Sequence, residues 1–357
     1  MAPETGSRSR RGYLLLLCNR GNSNVEVKMK VPLSATFKAT LILFILATGT
    51  IAVGPAAGQN YPSKPLRIIV GAAPGGAPDI FARALATLLS MQIGQQVMVD
   101  NRPGAAGVIG YEMVARADPD GYTASYLSFP FATNPHMHAK LPYDSARDFQ
   151  PVILLGSGPN LLAVTPVLPV KSVPDLIGHA RANPGKLSFG SSGLGTSTHL
   201  SMELIKGMTD THLVHVPFKG IQQAITDLIG GRIHVLCDNV LSIIPHVRAG
   251  RVHALGVTSL KRVPLVPDVP TVDEAGIPGY EITPWAGLAF PAGTPKDLVL
   301  RLNAEMNKVL LSPSEIKTAS DNGNTLIGGT PEHFAEHIRK ETEKWGKVIK
   351  AAGIKPQ

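Results

Sequence analysis

Apolar residues in this chain come in short runs separated by Gly and Pro. Leu66-Arg67-Ile68-Ile69-Val70 reads as a buried strand, and Gly71–Pro78 as the loop that leaves it. Ile80, Leu85, Leu88 and Leu89, with Arg83 outside, have helical spacing over Asp79–Met91. Val97–Val99 reads as a strand, Arg102–Gly107 as a loop, Val108–Ala115 as a helix and Tyr122–Leu127 as a third strand. Strand, loop and helix in alternation predict a parallel, doubly wound sheet.

The pattern restarts near Val152. Leu161–Val164, Leu187–Phe189, Leu213–Val216, Ile233–Leu236 and Ala254–Val257 read as strands. Val173–Arg181, Ser197–Gly207, Ile221–Ile229 and Ile243–Ala249 read as helices between them. A second α/β lobe follows from this repetition. Pro295–Leu311 and Pro331–Ala352 are helical and are expected to pack back on the first lobe. The chain of 357 residues is long enough for two domains, each with its own core.

The first 58 residues have a different character. Lys30 and Lys38 precede Ala39–Val53, an apolar run of about 15 residues, and Gly54–Gly58 consists of small residues and one Pro. A basic start, a short apolar stretch and a small-residue end describe a secretory signal, and the run is shorter than the roughly 20 residues that span a bilayer. Cleavage is expected after Ala57 or Gly58. Arg10-Arg11 and the string Leu15–Cys18 look like weaker export signals, but their apolar run is only four leucines long. Met29 is therefore expected to be the true start.

The formal charge is +8. Of this, +5 belongs to residues 1–58, where seven Lys and Arg stand against two Glu. The body is only mildly basic, which helps to attract small anions. It has no Lys/Arg run interleaved with aromatics, so nucleic acid is not an expected partner. Cys237 is the one cysteine after the leader, and it lies in an apolar strand. It is expected to be inert core, with no disulfide.

Ligands of open parallel sheets sit beyond the carboxyl ends of the strands, where loops begin helices. Three loops there have suitable chemistry. Ala73-Pro74-Gly75-Gly76-Ala77-Pro78-Asp79 lets the backbone approach a ligand and opens a helix whose free N–H groups favour an anion. Asp79 reads first as a cap of that helix. Gly190–His199 is rich in hydroxyls and glycine. It matches neither a Walker loop nor a dinucleotide fingerprint. Val216-Pro217-Phe218-Lys219-Gly220 offers Lys219, either as a solvated side chain or as the holder of a second acidic group. Asp238 and Asn239 occupy an equivalent place after Cys237.

Signatures of catalysis are missing from the sequence. There is no Gly-x-Ser-x-Gly elbow and no His-Glu-x-x-His, and the histidines do not combine with Cys or carboxylates at ligand spacing. A hydrolase built on Ser191 or Ser192 lacks an evident ordered His partner. No enzyme, metal or cofactor is expected.

Along Tyr61–Val70, Pro74-Gly75-Gly76 with Asp79, Asn101-Arg102-Pro103-Gly104-Ala105-Ala106-Gly107 and Asp118–Thr123, the sequence resembles the Bug-type, TctC-like receptors of tripartite tricarboxylate transporters. The resemblance continues through Leu141–Asp144, Val216–Gly220, Asp227–Gly231, Pro267–Thr271 and Pro291–Pro295 to Trp345. It implies a type II periplasmic-binding-protein fold: two Rossmann-like lobes around a ligand cleft, with a hinge crossed twice. Lobe 1 would be residues 59–162 plus 286–357, and lobe 2 residues 163–285. It implies a monomeric periplasmic receptor for a small carboxylate that hands its cargo to membrane permease subunits. A sensing module with the same binding chemistry is the alternative. Carried onto this chain, the ligand contacts fall on Ala73, Gly75, Gly76, Asp79 and Ser128 in lobe 1. In lobe 2 they fall on Ser191, Thr196, Ser197, Thr198, Lys219 and Asp238. Gly71-Ala72-Ala73-Pro74 and Pro284-Trp285-Ala286-Gly287 depart from the common pattern and leave the ligand's identity open.

Overall fold

The computed structural model describes residues 61–356. The expected leader, with Arg10-Arg11, Cys18, Met29 and the cleavage site, lies outside the described residues.

The first β-α-β turns form as the apolar spacing predicts. β1 (Leu66–Val70) pairs in parallel with β2 (Val97–Asn101) on one side and β3 (Thr123–Ser128) on the other. Helix α1 (Ala77–Ile93) lies between β1 and β2, and α2 (Val108–Ala115) between β2 and β3. The buried stripe of α1 is Ala82, Leu85, Ala86 and Leu89. Ile80, expected on that stripe, is half exposed. Small alanines let α1 pack closely on Leu66, Ile68 and Val70, so a larger side chain is not needed there.

The first sheet is not wholly parallel. Its order is β11-β4-β10-β3-β1-β2, with α3 (Phe129–Met137) following β3 and leading to β4 (Phe149–Ser157). β10 (Trp285–Pro291) lies antiparallel between β3 and β4, and β11 (Thr325–Leu326) is an antiparallel edge. Sequence patterning missed β4, β10 and α3. β10 is buried along its whole length, so it lacks the alternation of a half-buried strand. It also returns from the second sheet, so its direction is set by the crossing rather than by a local helix.

The second sheet has the order β7-β6-β8-β5-β9. It comprises β5 (Asn160–Val164), β6 (Ser188–Ser191), β7 (Val214–Pro217), β8 (Val235–Asn239) and β9 (His253–Val257). The helices between these strands are α4 (Val173–Ala182), α5 (Ser197–Thr209), α6 (Ile221–Ile229) and α7 (Val240–Arg248). β5 is antiparallel to both of its neighbours, because it too arrives from the other sheet. Sheet membership changes between Ser157 and Asn160 and again between Val257 and Trp285, two crossings in all. β5 spans position 162/163 and lies wholly in the second sheet, while Trp285 opens β10 in the first.

The C-terminal helices return to the first sheet, as their position in the sequence suggested. α8 (Lys296–Leu310) buries Val299, Leu302 and Met306 in the same core as α1. α9 (Pro313–Asp321) buries none of its residues, and α10 (Pro331–Ala351) sets Phe334 and Trp345 in the core. Among the described residues, no helix is long and apolar enough to cross a membrane.

One contact fixes how β1 hands the chain to the cleft. A Cβ on Gly71 would stand 2.7 Å from the Gly107 Cα, and one on Gly110 would stand 3.0 Å from the Gly71 Cα. The exit of β1 therefore rests on the start of α2, backbone to backbone. Gly71→Ala is expected to cost about 1–3 kcal/mol by overpacking. A chemical denaturation curve with a lower midpoint and an unchanged m-value will show it.

Candidate functional site

Between the two sheets lies a cleft of about 960 Å³. Its walls are the loops at the carboxyl ends of the strands, and five helix N-caps are among its lining residues. They are Gly76 of α1, Ser128 of α3, Thr196 of α5, Gly220 of α6 and Asn239 of α7. A helix start leaves N–H groups without intrahelical partners and carries a partial positive charge. Such a site favours an anion even though its only lysine or arginine is Lys219.

Loop 1, residues 71–76, is held by a chain of polar contacts beneath it. The Gly75 N–H donates to Asp79 Oδ2 at 2.9 Å, and Arg83 Nε donates to Asp79 Oδ1 at 2.9 Å. Arg83 also donates to Asn101 Oδ1 at 2.8 Å, and Asn101 Nδ2 donates to the Ala72 carbonyl at 3.0 Å. Burial opposes the charge on Asp79, but the Gly75 N–H and Arg83 outweigh it and hold the carboxyl below its usual range. Asp79 and Gly75 are not on the cleft wall, unlike Ala73 and Gly76. Each oxygen of the Asp79 carboxylate is engaged behind the loop, where it orders loop 1 and lies off the cleft wall.

Loop 2 was not assigned to the site, although it obeys the same rule of strand end and helix start. Gly104, Ala105, Ala106 and Gly107 all have positive φ, and the first three line the cleft. Two alanines in the left-handed region are costly, which marks a backbone held in place by its surroundings. Asn134 Nδ2 donates to the Ala106 carbonyl at 3.3 Å from within α3. Ser128, at the start of α3, lies on the wall with its Oγ 3.1 Å from the Tyr111 hydroxyl.

From the second sheet, Thr196, Ser197, Thr198, Lys219 and Asp238 reach the wall. Thr196 Oγ1 donates to the Gly193 carbonyl at 2.6 Å, and Thr198 Oγ1 accepts from the Ser192 N–H at 2.9 Å. Both hydroxyls therefore shape the loop as well as lining it. Ser191 does not line the cleft. It is fully buried, with its Oγ 2.6 Å from His215 Nε2. The expected lack of an ordered His partner is corrected by this contact, yet no substrate reaches a serine sealed in the core. Asn160, Asn239, Asn324, Thr325 and Gln222 also line the cleft and were not singled out as ligand contacts. No sequence signal points to Asn324 and Thr325, which lie just before and at the start of the short edge strand β11, far along the chain.

Contacts between the lobes close the cleft. Gln222 Nε2 donates to the Gly75 carbonyl at 2.9 Å, and Thr133 Oγ1 donates to the Gly195 carbonyl at 2.7 Å. Burial drives Asp238 up to about 7, and the Asn239 backbone and the Ser242 hydroxyl only partly oppose it. Burial raises the Cys237 thiol to about 12, consistent with inert core. Among the described residues, no group of three or more His, Cys, Asp or Glu could hold a metal.

Two α/β lobes, two crossings and a cleft lined by helix starts define a bilobal solute-binding protein. The fold is the type II periplasmic-binding-protein fold, as the neighbours below bear out. The family model described as tripartite tricarboxylate transporter family receptor matches residues 81–354, and the chain belongs to that family. A protein from the tcbD-tcbE intergenic region of Pseudomonas sp. strain P51 is 43% identical over 290 residues, covering 81% of this chain and 86% of its own. The solved R. palustris protein Rpa4515 with adipate is 39% identical with a TM-score of 0.81, covering 83% of this chain and all (100%) of that one. The periplasmic binding protein BugD is 32% identical with a TM-score of 0.79, with coverage of 83% and 100%. The family and these neighbours are solute-binding receptors, not enzymes.

Behind the second-lobe loop, His199 and His215 stack with centroids 4.2 Å apart. Burial depresses His199 to about 3, with help from His215 and Lys206, and burial with Lys206 depresses His215 to about 4. Histidines whose pKa is lowered on folding give stability that is complete above about pH 6.5 and is lost as pH falls toward 4. For the partly exposed His215 the loss is about 1–2 kcal/mol at pH 4.5. Urea midpoints at pH 7.5 and 4.5 should differ less in His215→Gln than in the parent protein.

Proposed function

We propose that this protein captures a small dicarboxylate in the periplasm and delivers it to the membrane permease of a tripartite transporter. The observation that carries this reading is the convergence of five helix N-caps on one cleft with a single cationic side chain. Neutral N–H and hydroxyl donors suit a carboxylate, because they form charge-assisted hydrogen bonds of about 1.5–3 kcal/mol each. Lys219, exposed and free of any ion pair among the described residues, is placed to meet a second acidic group. Phe81, Tyr126, Phe129, Phe218 and Trp285 supply apolar wall for the carbon chain between the two acids.

The adipate bound to Rpa4515 makes adipate the first candidate. Ala73, Gly76, Ser128, Thr196, Ser197, Thr198, Lys219 and Asp238 are the direct contacts in this proposal. Gly75, Asp79 and Ser191 act through the loops they brace. Each chain carries a complete cleft and works as a monomer, with the lobes drawn at the two sheet crossings. The ligand favours closure by the difference between its affinities for the closed and open forms.

Calorimetry on protein unfolded and refolded to strip bound solute, against a panel of mono-, di- and tricarboxylates, tests the proposal. One-to-one binding of a dicarboxylate at micromolar Kd or below is expected. A folded protein that binds none of the panel overturns the carboxylate reading. In Lys219→Ala, dicarboxylate affinity should fall about tenfold, the equivalent of about 1.4 kcal/mol, while a monocarboxylate changes little.

A further inference from the structure

Asp238 stands at the carboxyl end of β8, one residue before the N-cap of α7, on the cleft wall. It is 7% exposed, close to the 5% of Asp79. The two carboxyls are otherwise unlike. Asp79 receives a backbone N–H and a guanidinium, whereas Asp238 forms no ion pair among the described residues, and no described group donates to its buried Oδ2.

The surroundings of Asp238 offer it no cation. β5 sets Leu161 opposite it, and α7 offers Ser242. α5, also against β8, carries His199 and the Glu203–Lys206 pair, none of which bonds to Asp238. The adjacent Cys237 is an un-ionised thiol. Lys219, His138 and Tyr126 are the other titratable side chains on the cleft wall, and none of them bonds to Asp238. A desolvated carboxyl without a cation favours its neutral form, and its position near 7 follows from this burial.

The helix starts around the cleft favour an anionic cargo. A bare carboxylate beside that cargo would repel it, and in a water-poor site two close carboxyl groups do not both stay ionised. We propose that Asp238, as the neutral acid, donates its O–H to a carboxylate oxygen of the bound ligand, so that a dianion enters the cleft together with one proton. This inference rests on the carboxylate reading above. The only covalent bond that changes is the Asp238 O–H: the carboxylate takes its proton from solvent as the ligand binds, holds it in an O–H···O⁻ hydrogen bond, and returns it to solvent when the ligand leaves. The group then acts as a selectivity device, accepting an acid where a fixed negative charge would reject it.

Adipate is the probe for the test, because both of its carboxyls are ionised above about pH 6.5. Titrations at about pH 6–8.5 in buffers of different ionisation enthalpy count the protons taken up with each ligand. The expected uptake approaches about one proton near pH 8, with affinity falling by up to about tenfold per pH unit above pH 7. In Asp238→Asn, whose amide donates without titrating, uptake should vanish and Kd should stay flat across the range. Binding by the parent protein with no proton uptake overturns the inference, as does a folded Asp238→Asn protein that keeps the uptake. Affinity that rises with pH and is lost in Asp238→Asn also overturns it, because Asp238 would then accept from a ligand hydroxyl or ammonium. The proton count on the parent protein decides the matter even if the variant does not fold. Failure of the carboxylate reading itself has a separate signature: no binding of any carboxylate at any pH.

Discussion

The start of an α-helix leaves backbone N–H groups that no residue of the helix can satisfy. Five such starts face one cleft here, and the rest of the molecule is arranged around that fact. The parallel pairing of β1, β2 and β3 brings the first-lobe loops to one edge, and β6, β7 and β8 do the same in the second lobe. The loops must then stay open to a ligand without collapsing on their own donors. Asp79, Arg83 and Asn101 brace loop 1 from behind, Asn134 braces loop 2, and the Ser191–His215 contact braces the third loop. In loop 1 the Asp79 carboxylate, which could have competed with a ligand for N–H groups, is tied up off the cleft wall.

This design leaves little fixed charge where the ligand binds. An arginine-lined pocket would hold an anion by Coulombic attraction, at the cost of desolvating both partners. Backbone dipoles are already fixed in the folded protein, so they need little reorganisation. They also read position more than charge. The shape of the apolar wall, with Trp285 and Phe218 on it, is then free to set which acid fits.

The sequence made the α/β repeat legible through its period, because β1, α1 and α6 each have a clear apolar pattern bounded by Gly or Pro. It was less clear for β4 and β10, which are buried strands in the middle of a sheet, where alternation disappears. Loop position at strand ends pointed to Ala73, Gly76, Thr196 and Lys219, which lie on the cleft wall. Side-chain direction was not legible. Asp79 and Ser191 lie in the right loops but turn inward, since only the folded structure reveals Gly75 and His215 as their partners. Asn324 joins the wall from more than eighty residues after Asn239, a proximity that no local pattern encodes.

The clasp between Thr133 and the Gly195 carbonyl involves no ligand atom. A receptor held shut partly by such contacts can close while empty. In the delivery role proposed above, such a form would occupy a permease without delivering anything. Fewer clasps of this kind mean less idle traffic at the membrane, but also a smaller reserve of closure energy for a weakly held cargo. The balance between those two demands is set at Thr133, which lies off the cleft wall, and at Gln222, which is on it.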